Sequence, residues 1–406
     1  DASASPNLII VNSCTVTATA FKKTHQALRS LRAENPGAFI VVTGCAADVD
    51  RATLDRSDEC DLVLPNEQKK ELDRILPRHL SILDAGAASV KAHPEREDGI
   101  FFEDAQGAYP FRSRAFLKIQ EGCDNECAYC IVPKARGRER SRDLQEVVSE
   151  FEALVGQGFH EIVLTGVNTC RYRSGGLDLP GLLNRLLEIP GDWRIRLSST
   201  EPGGEIPALI DVMAKNPERL CAFLHLPLQS GSARILKAMK RHCTLKEYAE
   251  YVALARKSIP RIHIGTDLIV GFPGETKKDA DDTIAFLKKM KFANIHIFPF
   301  SPRKGTPADS MPGRVPSDEV AERIAACREV REASAQEFKK SLLGSTERVL
   351  IETRRSESAW EGWSGNYVRT RVLSARQVLA KTLVNVKFLR LADDGAVEAE
   401  VAEAAE

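Results

Sequence analysis

The chain has 406 residues in which 57 lysines and arginines balance 57 aspartates and glutamates, so no global field draws it to nucleic acid. Its length predicts two or three domains with ample core, and no run approaches the roughly 20 apolar residues that span a bilayer. With no N-terminal signal peptide expected, its ten cysteines read as metal ligands and buried thiols in a reducing cytosol, not as a disulfide framework.

Leu8-Ile9-Ile10-Val11 is a short apolar run of the buried parallel-strand kind and ends in Asn12-Ser13-Cys14-Thr15. Thr17 or Thr19 is placed to cap a helix through Phe21, Ala27, Leu28 and Leu31, which stops near Asn35-Pro36-Gly37. A second strand, Phe39 to Thr43, ends in Gly44-Cys45-Ala46, and a third apolar run, Leu62 to Leu64, follows. This order predicts a right-handed βαβ unit of an open α/β sheet over residues 1–95. Cys14 and Cys45 fall just past the carboxyl ends of strands, where such sheets place ligands, although both also suit small buried positions. Cys60 precedes the third strand, at the opposite edge of the sheet.

Residues 85–106 are polar, small and patternless, as a linker would be. Six strand candidates then alternate with helical stretches: 116–119, 162–165, 195–198, 223–226, 262–270 and 293–298. Repeated βα units mean a parallel sheet with crossover helices, and six of them predict a partial (β/α)6 barrel over residues 108–342. Each strand is followed by a polar or glycine-rich phrase: EGCDNEC, TGVN, SSTEP, PLQSGS, GFPGE and PFSPRKGTP. Loops at the carboxyl ends of barrel strands ring one mouth of a rigid scaffold, so six unusual ones predict a site there.

The first of these loops carries Cys123, Cys127 and Cys130 at CxxxCxxC spacing, close enough for three sulfurs to converge on one metal centre. Iron–sulfur clusters are usually held by four thiolates, so three leave one iron open to a small molecule. A structural zinc site wants four closed ligands from two paired motifs, and no second CxxC is present. Lys134 to Arg142 adds five cations against one carboxylate within nine residues. Such runs are commonly solvated faces, but beside a predicted site Arg136, Arg138, Arg140 and Arg142 become candidates for phosphate contact. Cys170, Cys221, Cys243 and Cys327 are isolated and read as buried or incidental thiols, and His225 as a satisfied histidine of the core or one that supports a site residue.

Short alternating strands mark residues 343–406: Val349 to Ile351, Tyr367 to Val372 and Leu383 to Val386, with Gly362, Gly365 and Asn366 in turns. They predict a small β-barrel, locally basic, with nine lysines and arginines against four acids between Glu347 and Arg390. Small basic barrels commonly hold RNA, which makes Arg369 and Arg371 candidate contacts; packing against the larger barrel is the plainer role. The acidic tail from Asp393 is expected to fray.

The cysteine spacing, with Tyr129 before the last cysteine, resembles the signature of radical S-adenosylmethionine (SAM) enzymes. "VNSCTVT", "VVTGCAA" and the six loop phrases resemble the methylthiotransferases of that superfamily, and the last segment resembles their TRAM domain, an RNA-binding module. The resemblance implies two 4Fe–4S clusters, one on Cys123, Cys127 and Cys130 and an auxiliary one on Cys14, Cys45 and a third cysteine on a strand that would precede Asp1. Either the N-terminal domain is truncated at its start, or this protein lacks that one ligand. By the same resemblance Tyr129 lies near the SAM adenine, Gly166 and Asn168 meet its methionine amino group, and Gln229 and Gly271 meet the ribose and adenine. One SAM would supply a methyl group for cluster-bound sulfur and a second the radical.

The implied activity replaces C–H by C–SCH3. "ARGRERSR" and "RIRLSSTEP" look most like the subgroup that modifies carbon 2 of threonylcarbamoyladenosine at tRNA position 37, in the anticodon loop. Isopentenyladenosine in tRNA and an aspartate of a ribosomal protein are the other family substrates. The implied partners are tRNA and an electron donor such as flavodoxin or ferredoxin. A non-catalytic iron–sulfur protein that binds RNA or passes electrons is the rival of a different class, but an electron carrier would prefer four protein ligands and needs no six-fold set of barrel-mouth loops.

Overall fold

The computed structural model describes residues 6–14, 17–72, 74–76, 112–374 and 380–402. The linker expected over 85–106 lies outside the described residues. The chain divides into two compact units, the first made of Asp1–Glu103, Gly122–Arg140 and Ser301–Ser310, the second of Asp104–Glu121, Ser141–Phe300 and Met311–Glu406.

In the first unit β1 (Leu8–Ser13), α1 (Ala18–Glu34), β2 (Phe39–Gly44), α2 (Cys45–Val49), α3 (Arg51–Leu54) and β3 (Leu62–Val63) build a parallel sheet in the order β1-β2-β3. β2 is the centre because both its faces are apolar and covered: Ile40 and Val42 pack with Leu28 and Leu54, while Phe39 and Val41 pack with Leu62 and Leu64. Thr17, not Thr19, caps α1, its hydroxyl accepting from the Ala20 amide at 3.0 Å. The short helix α4 (Val132–Arg136) follows the cysteine loop in this unit.

The second unit carries the βα repeats. Strands β4 (Ala115–Lys118), β5 (Glu161–Thr165) and β6 (Arg194–Leu197) form one parallel sheet; β7 (Phe223–His225), β8 (His263–Val270) and β9 (Asn294–Pro299) form another. Bridges Ile195↔Leu220 and Ser199↔His225 join β6 to β7, so six strands make one open arc, as the sequence predicts. Along each strand alternate residues face the helices: Leu117, Leu164, Leu197, Leu224 and Leu268 share one core with Phe151, Leu182 and Tyr248. The helices are α5 (Leu144–Gly156), α6 (Leu179–Leu187), α7 (Ile206–Lys215), α8 (Ala233–Ala238), α9 (Leu245–Ser258), α10 (Lys277–Met290) and α11 (Ser317–Ser341).

A closed five-stranded barrel ends the chain: β10 (Thr346–Arg354), β11 (Ala359–Ser364), β12 (Arg369–Leu373), β13 (Leu383–Leu391) and β14 (Val397–Val401). Two expectations fail here. Gly362 is not in a turn but inside β11, where any Cβ would stand 2.0 Å from the Leu350 carbonyl oxygen, so glycine permits a close strand approach. The acidic tail does not fray as a whole, because Val397 and Ala399 are fully buried and β14 closes the barrel between β12 and β13.

The two barrels are joined by a buried charge network. Glu161 is completely buried and pairs with Arg194 at 2.5 Å, Arg196 at 2.7 Å and Arg114 at 3.4 Å. Arg194 donates to the carbonyls of Arg348 and Trp363, and Arg196 to those of Ser364 and Gly365. The arginines of "RIRLSSTEP" thus serve the scaffold. Burial alone would raise the Glu161 carboxyl, but the three guanidiniums outweigh it and hold the group well below the usual range.

Candidate functional site

In the first unit the cysteine loop is a tight turn, the Cys130 amide donating to the Cys127 carbonyl at 3.0 Å. The Cys123 amide donates to the Gly137 carbonyl at 3.2 Å, which closes the loop against the end of α4. Ala308 N–H donates to the Ala128 carbonyl at 2.8 Å, and Lys134 Nζ to that of Gly305 at 2.5 Å, so the SPRKGT segment braces it. The Asn125 amide lies 3.4 Å from Cys123 Sγ, a donor aimed at sulfur. None of the three cysteines is in a disulfide, and only Cys127 is buried. This donor set fits an iron–sulfur cluster, whose sulfurs accept such backbone N–H groups. Tyr129 is half-buried on the same loop.

Cys14 and Cys45 meet through strand register. Ser13 pairs with Gly44 at the last rung of β1 and β2, so the next residue of each strand is a cysteine. Gly44 turns the chain at a φ of +94°, and a Cβ there would stand 2.1 Å from the Ser13 carbonyl oxygen. Cys45 is buried and Cys14 exposed. Burial pushes the Cys45 thiol up, and Arg136 opposes this, its Nε donating to Cys45 Sγ at 3.1 Å. Two cysteines that follow paired strand ends, one with a cationic donor, fit part of a cluster's ligand set. Cys60 is buried, its thiol directed at the Leu54 carbonyl.

In the second unit the strand-end loops are cross-braced. Gln120 is fully buried; its Oε1 accepts from the Asn168 amide at 2.7 Å, and its Nε2 donates to the Glu121 carbonyl. Gly166 lies against Gln120, with room for no side chain. Asn168 is 4% exposed, and its Oδ1 has no hydrogen-bond partner among the described residues. A buried unmet acceptor at a barrel mouth suits an ammonium donor such as the amino group of SAM. Gln229, at a φ of +75°, ties the next loop to β8 by donating from its amide to the Asp267 carbonyl and accepting from the Ile269 amide. The Gly271 amide donates to Glu275, which Arg323 holds at 2.8 Å. Sequence reasoning missed Gln120 and Glu275; the glutamate of GFPGE was visible, but its partner is 48 residues away.

The candidate phosphate contacts separate. Arg138 is the most exposed, 89% by side chain, and pairs with Asp124 at 3.2 Å. Arg140 is half-buried and donates to the Arg136 carbonyl. Arg142 is 4% exposed and held by Glu146 and Glu150, so its guanidinium is committed inside the fold, unlike the solvent-facing cation the sequence suggested. Arg369 and Arg371 both pair with Asp394, at 2.9 and 2.8 Å. Cys170, Cys221 and Cys327 are buried, as expected; Cys243 is half-buried.

Residues 117–287 match the family model of the radical SAM superfamily, and residues 1–65 match that described as Uncharacterized protein family UPF0004. The chain is 36% identical over 369 residues to the threonylcarbamoyladenosine tRNA methylthiotransferase MtaB of Thermotoga maritima, covering 90% of this chain and 83% of that one. It is 32% identical to MtaB of Bacillus subtilis, with 95% and 86% covered. It is 34% identical to the tRNA-2-methylthio-N(6)-dimethylallyladenosine synthase of Carboxydothermus hydrogenoformans, with 94% and 88% covered. Among solved structures, the radical SAM methyltransferase TsrM of Kitasatospora setae, with cobalamin and a [4Fe-4S] cluster bound, shares the fold at a TM-score of 0.51 and 16% identity, with 76% and 67% covered.

Proposed function

This chain belongs to the radical SAM tRNA methylthiotransferases, and from that premise we propose that its substrate is threonylcarbamoyladenosine at tRNA position 37. The reaction uses SAM and two 4Fe–4S clusters. Cys123, Cys127 and Cys130 hold the radical cluster, and Cys14 and Cys45 are ligands of the auxiliary one. When bound, the radical cluster supplies the electron that cleaves SAM and releases a 5′-deoxyadenosyl radical, the reagent for an unactivated ring C–H.

The residues then divide the remaining work. Asn168 Oδ1 accepts from the SAM amino group, with Gln120 fixing the Asn168 backbone; Gly166 lets that loop close on Gln120 and presents its backbone to the amino group, and Gln229 and Gly271 shape the nucleoside end. Tyr129 lies against the adenine. Arg138 and Arg140 make phosphate contacts to the anticodon loop, and Arg369 and Arg371 do so from a TRAM-like barrel once RNA competes with Asp394. The electron donor is a small flavin or iron–sulfur protein of the flavodoxin or ferredoxin type, and the compartment is the cytoplasm. Among the described residues no helix is long and apolar enough to cross a membrane.

The observation that carries this reading is the three-cysteine loop with a backbone N–H aimed at sulfur. Nucleoside mass spectrometry after anaerobic incubation with SAM, dithionite and two tRNAs tests it, one tRNA bearing threonylcarbamoyladenosine and the other isopentenyladenosine. Methylthio product on the first supports the assignment. Product on the second alone would transfer the enzyme to the other subgroup, and neither product from protein loaded with both clusters would overturn both.

A further inference from the structure

Three side chains on the concave face of the barrel form a set that the roles above leave unused. His225 ends β7, Asp267 lies midway along β8 and His296 lies on β9, and the register aligns His225 with Gly265 and Asp267 with His296. Ile264, Leu268 and Val270 face the helix-packed core, so alternation turns Asp267 to the opposite face. Asp267 Oδ1 is 3.0 Å from His225 Nε2 and 3.1 Å from His296 Nδ1. The fold makes room for this arrangement at Gly265, where any Cβ would stand 2.9 Å from His225 Nδ1. It also anchors His225, whose carbonyl accepts from both the amide and the hydroxyl of Thr200.

One carboxylate oxygen shared by two imidazoles fixes which nitrogen of each ring faces it. Burial alone would raise the Asp267 carboxyl, but the hydrogen bonds from His225 and His296 outweigh that and keep it ionised. His296 then turns its Nε2 away from Asp267, and its side chain is 51% exposed although it sits within a barrel strand. Gln229, a residue of the candidate SAM loops, donates its amide to the Asp267 carbonyl at 2.8 Å, so the set begins one rung below that loop.

We propose that His225, Asp267 and His296 form the site that receives the N6 substituent of the target adenosine and selects one that can hydrogen-bond. The proposal rests on the position-37 reading above and names the residues that would choose between its two substrates. A threonylcarbamoyl group offers urea N–H groups, a hydroxyl and a carboxylate. An imidazole accepts from the first two, and in its protonated form it donates to the third. An isopentenyl group offers none of these and would leave the imidazole unpaired. A site built to hydrogen-bond its ligand rejects the analogue that lacks the partner more strongly than an apolar pocket rejects a polar one. Relatives named for either substituent match this chain at similar identity, 36% and 34% in two cases, so overall likeness does not make the choice.

The same donor set could coordinate a cation, since its ligand atoms lie within 4.8 Å of one another. In the structure, however, the ring nitrogens that would face a metal are directed at the carboxylate instead.

The test is the affinity of the cluster-loaded protein for three anticodon stem-loops, carrying at position 37 threonylcarbamoyladenosine, isopentenyladenosine or plain adenosine. Wild type is expected to prefer the first over the second by about tenfold or more. His296→Phe should bring that ratio to within about twofold, and His296→Gln, which keeps a hydrogen-bonding group, should restore part of it. Circular dichroism and iron per chain report whether each variant is folded, and Asp267→Asn serves as the second variant should His296→Phe fail. A preference that survives in both folded variants overturns the proposal. So does a stoichiometric extra metal, beyond cluster iron, that wild type binds and His296→Phe loses. A wild type that thiolates only the isopentenyl substrate would instead defeat the threonylcarbamoyladenosine assignment itself, which keeps the two failures apart.

Discussion

Single residues in this protein owe their roles to what surrounds them more than to their type. Arg138 and Arg142 are four positions apart in one basic run, yet one is solvent-facing and the other is enclosed by Glu146 and Glu150. Replacing each with alanine should therefore give different phenotypes. Arg138→Ala should flatten the salt dependence of tRNA binding by about 0.7–0.9 in log–log slope, as expected for one lost phosphate contact, and leave thermal stability unchanged. Arg142→Ala should lower stability by about 3–5 kcal/mol, because the enclosed Glu150 carboxylate loses its cation, and should leave the slope alone. Salt titrations paired with thermal melts read both. Arg136 is a third case, since its Nε is directed at the Cys45 sulfur. Charge was legible in the sequence for all of them; burial and partner were not.

At the scale of elements, the strands of the parallel arc were legible because each is a short apolar run with a polar phrase after it, and the observed bounds fall within two residues of those expected. β11 and β14 were not. Trp360 alternates with Gly362 and Ser364, and β14 alternates valine and alanine with glutamate, so neither shows the apolar run that marks a buried strand. The cysteine loop was legible because its three cysteines are local in sequence. The pairing of Cys14 with Cys45 was only half so, since strand ends were visible but the register that makes them neighbours was not. Nor did spacing reveal His225, Asp267 and His296, which lie on three strands. Gly44 is where element geometry and site meet. Gly44→Ala should cost about 1–3 kcal/mol from backbone strain alone, more with the Cβ clash against Ser13. Iron retention should fall in the auxiliary cluster and not in the radical cluster. Equal loss from both, followed by cluster-specific electron paramagnetic resonance, would count against the placement of Cys45.

For the molecule as a whole, the fully buried Glu161 is the keystone between the parallel arc and the C-terminal barrel. Glu161→Gln should destabilise the protein by about 3–5 kcal/mol, because three guanidiniums lose their counter-charge. The sign of the pH effect follows from the depressed carboxyl. Its stabilisation is fully present above the unfolded value of about 4.3 and is lost as pH falls through the lower folded value. Acid titration of stability should thus be shallower in the variant than in wild type below pH of about 4; parallel curves would exclude Glu161 as the source. On this scaffold Cys123, Cys127 and Cys130 are proposed to hold a cluster that opens SAM reductively. The most direct measurement is 5′-deoxyadenosine formed from SAM and dithionite without oxygen, in reconstituted wild type and in Cys127→Ala. Wild type should accumulate it over time and the variant should form none while keeping its far-ultraviolet spectrum. Equal yields from both, or none from an iron-loaded wild type, would contradict the account.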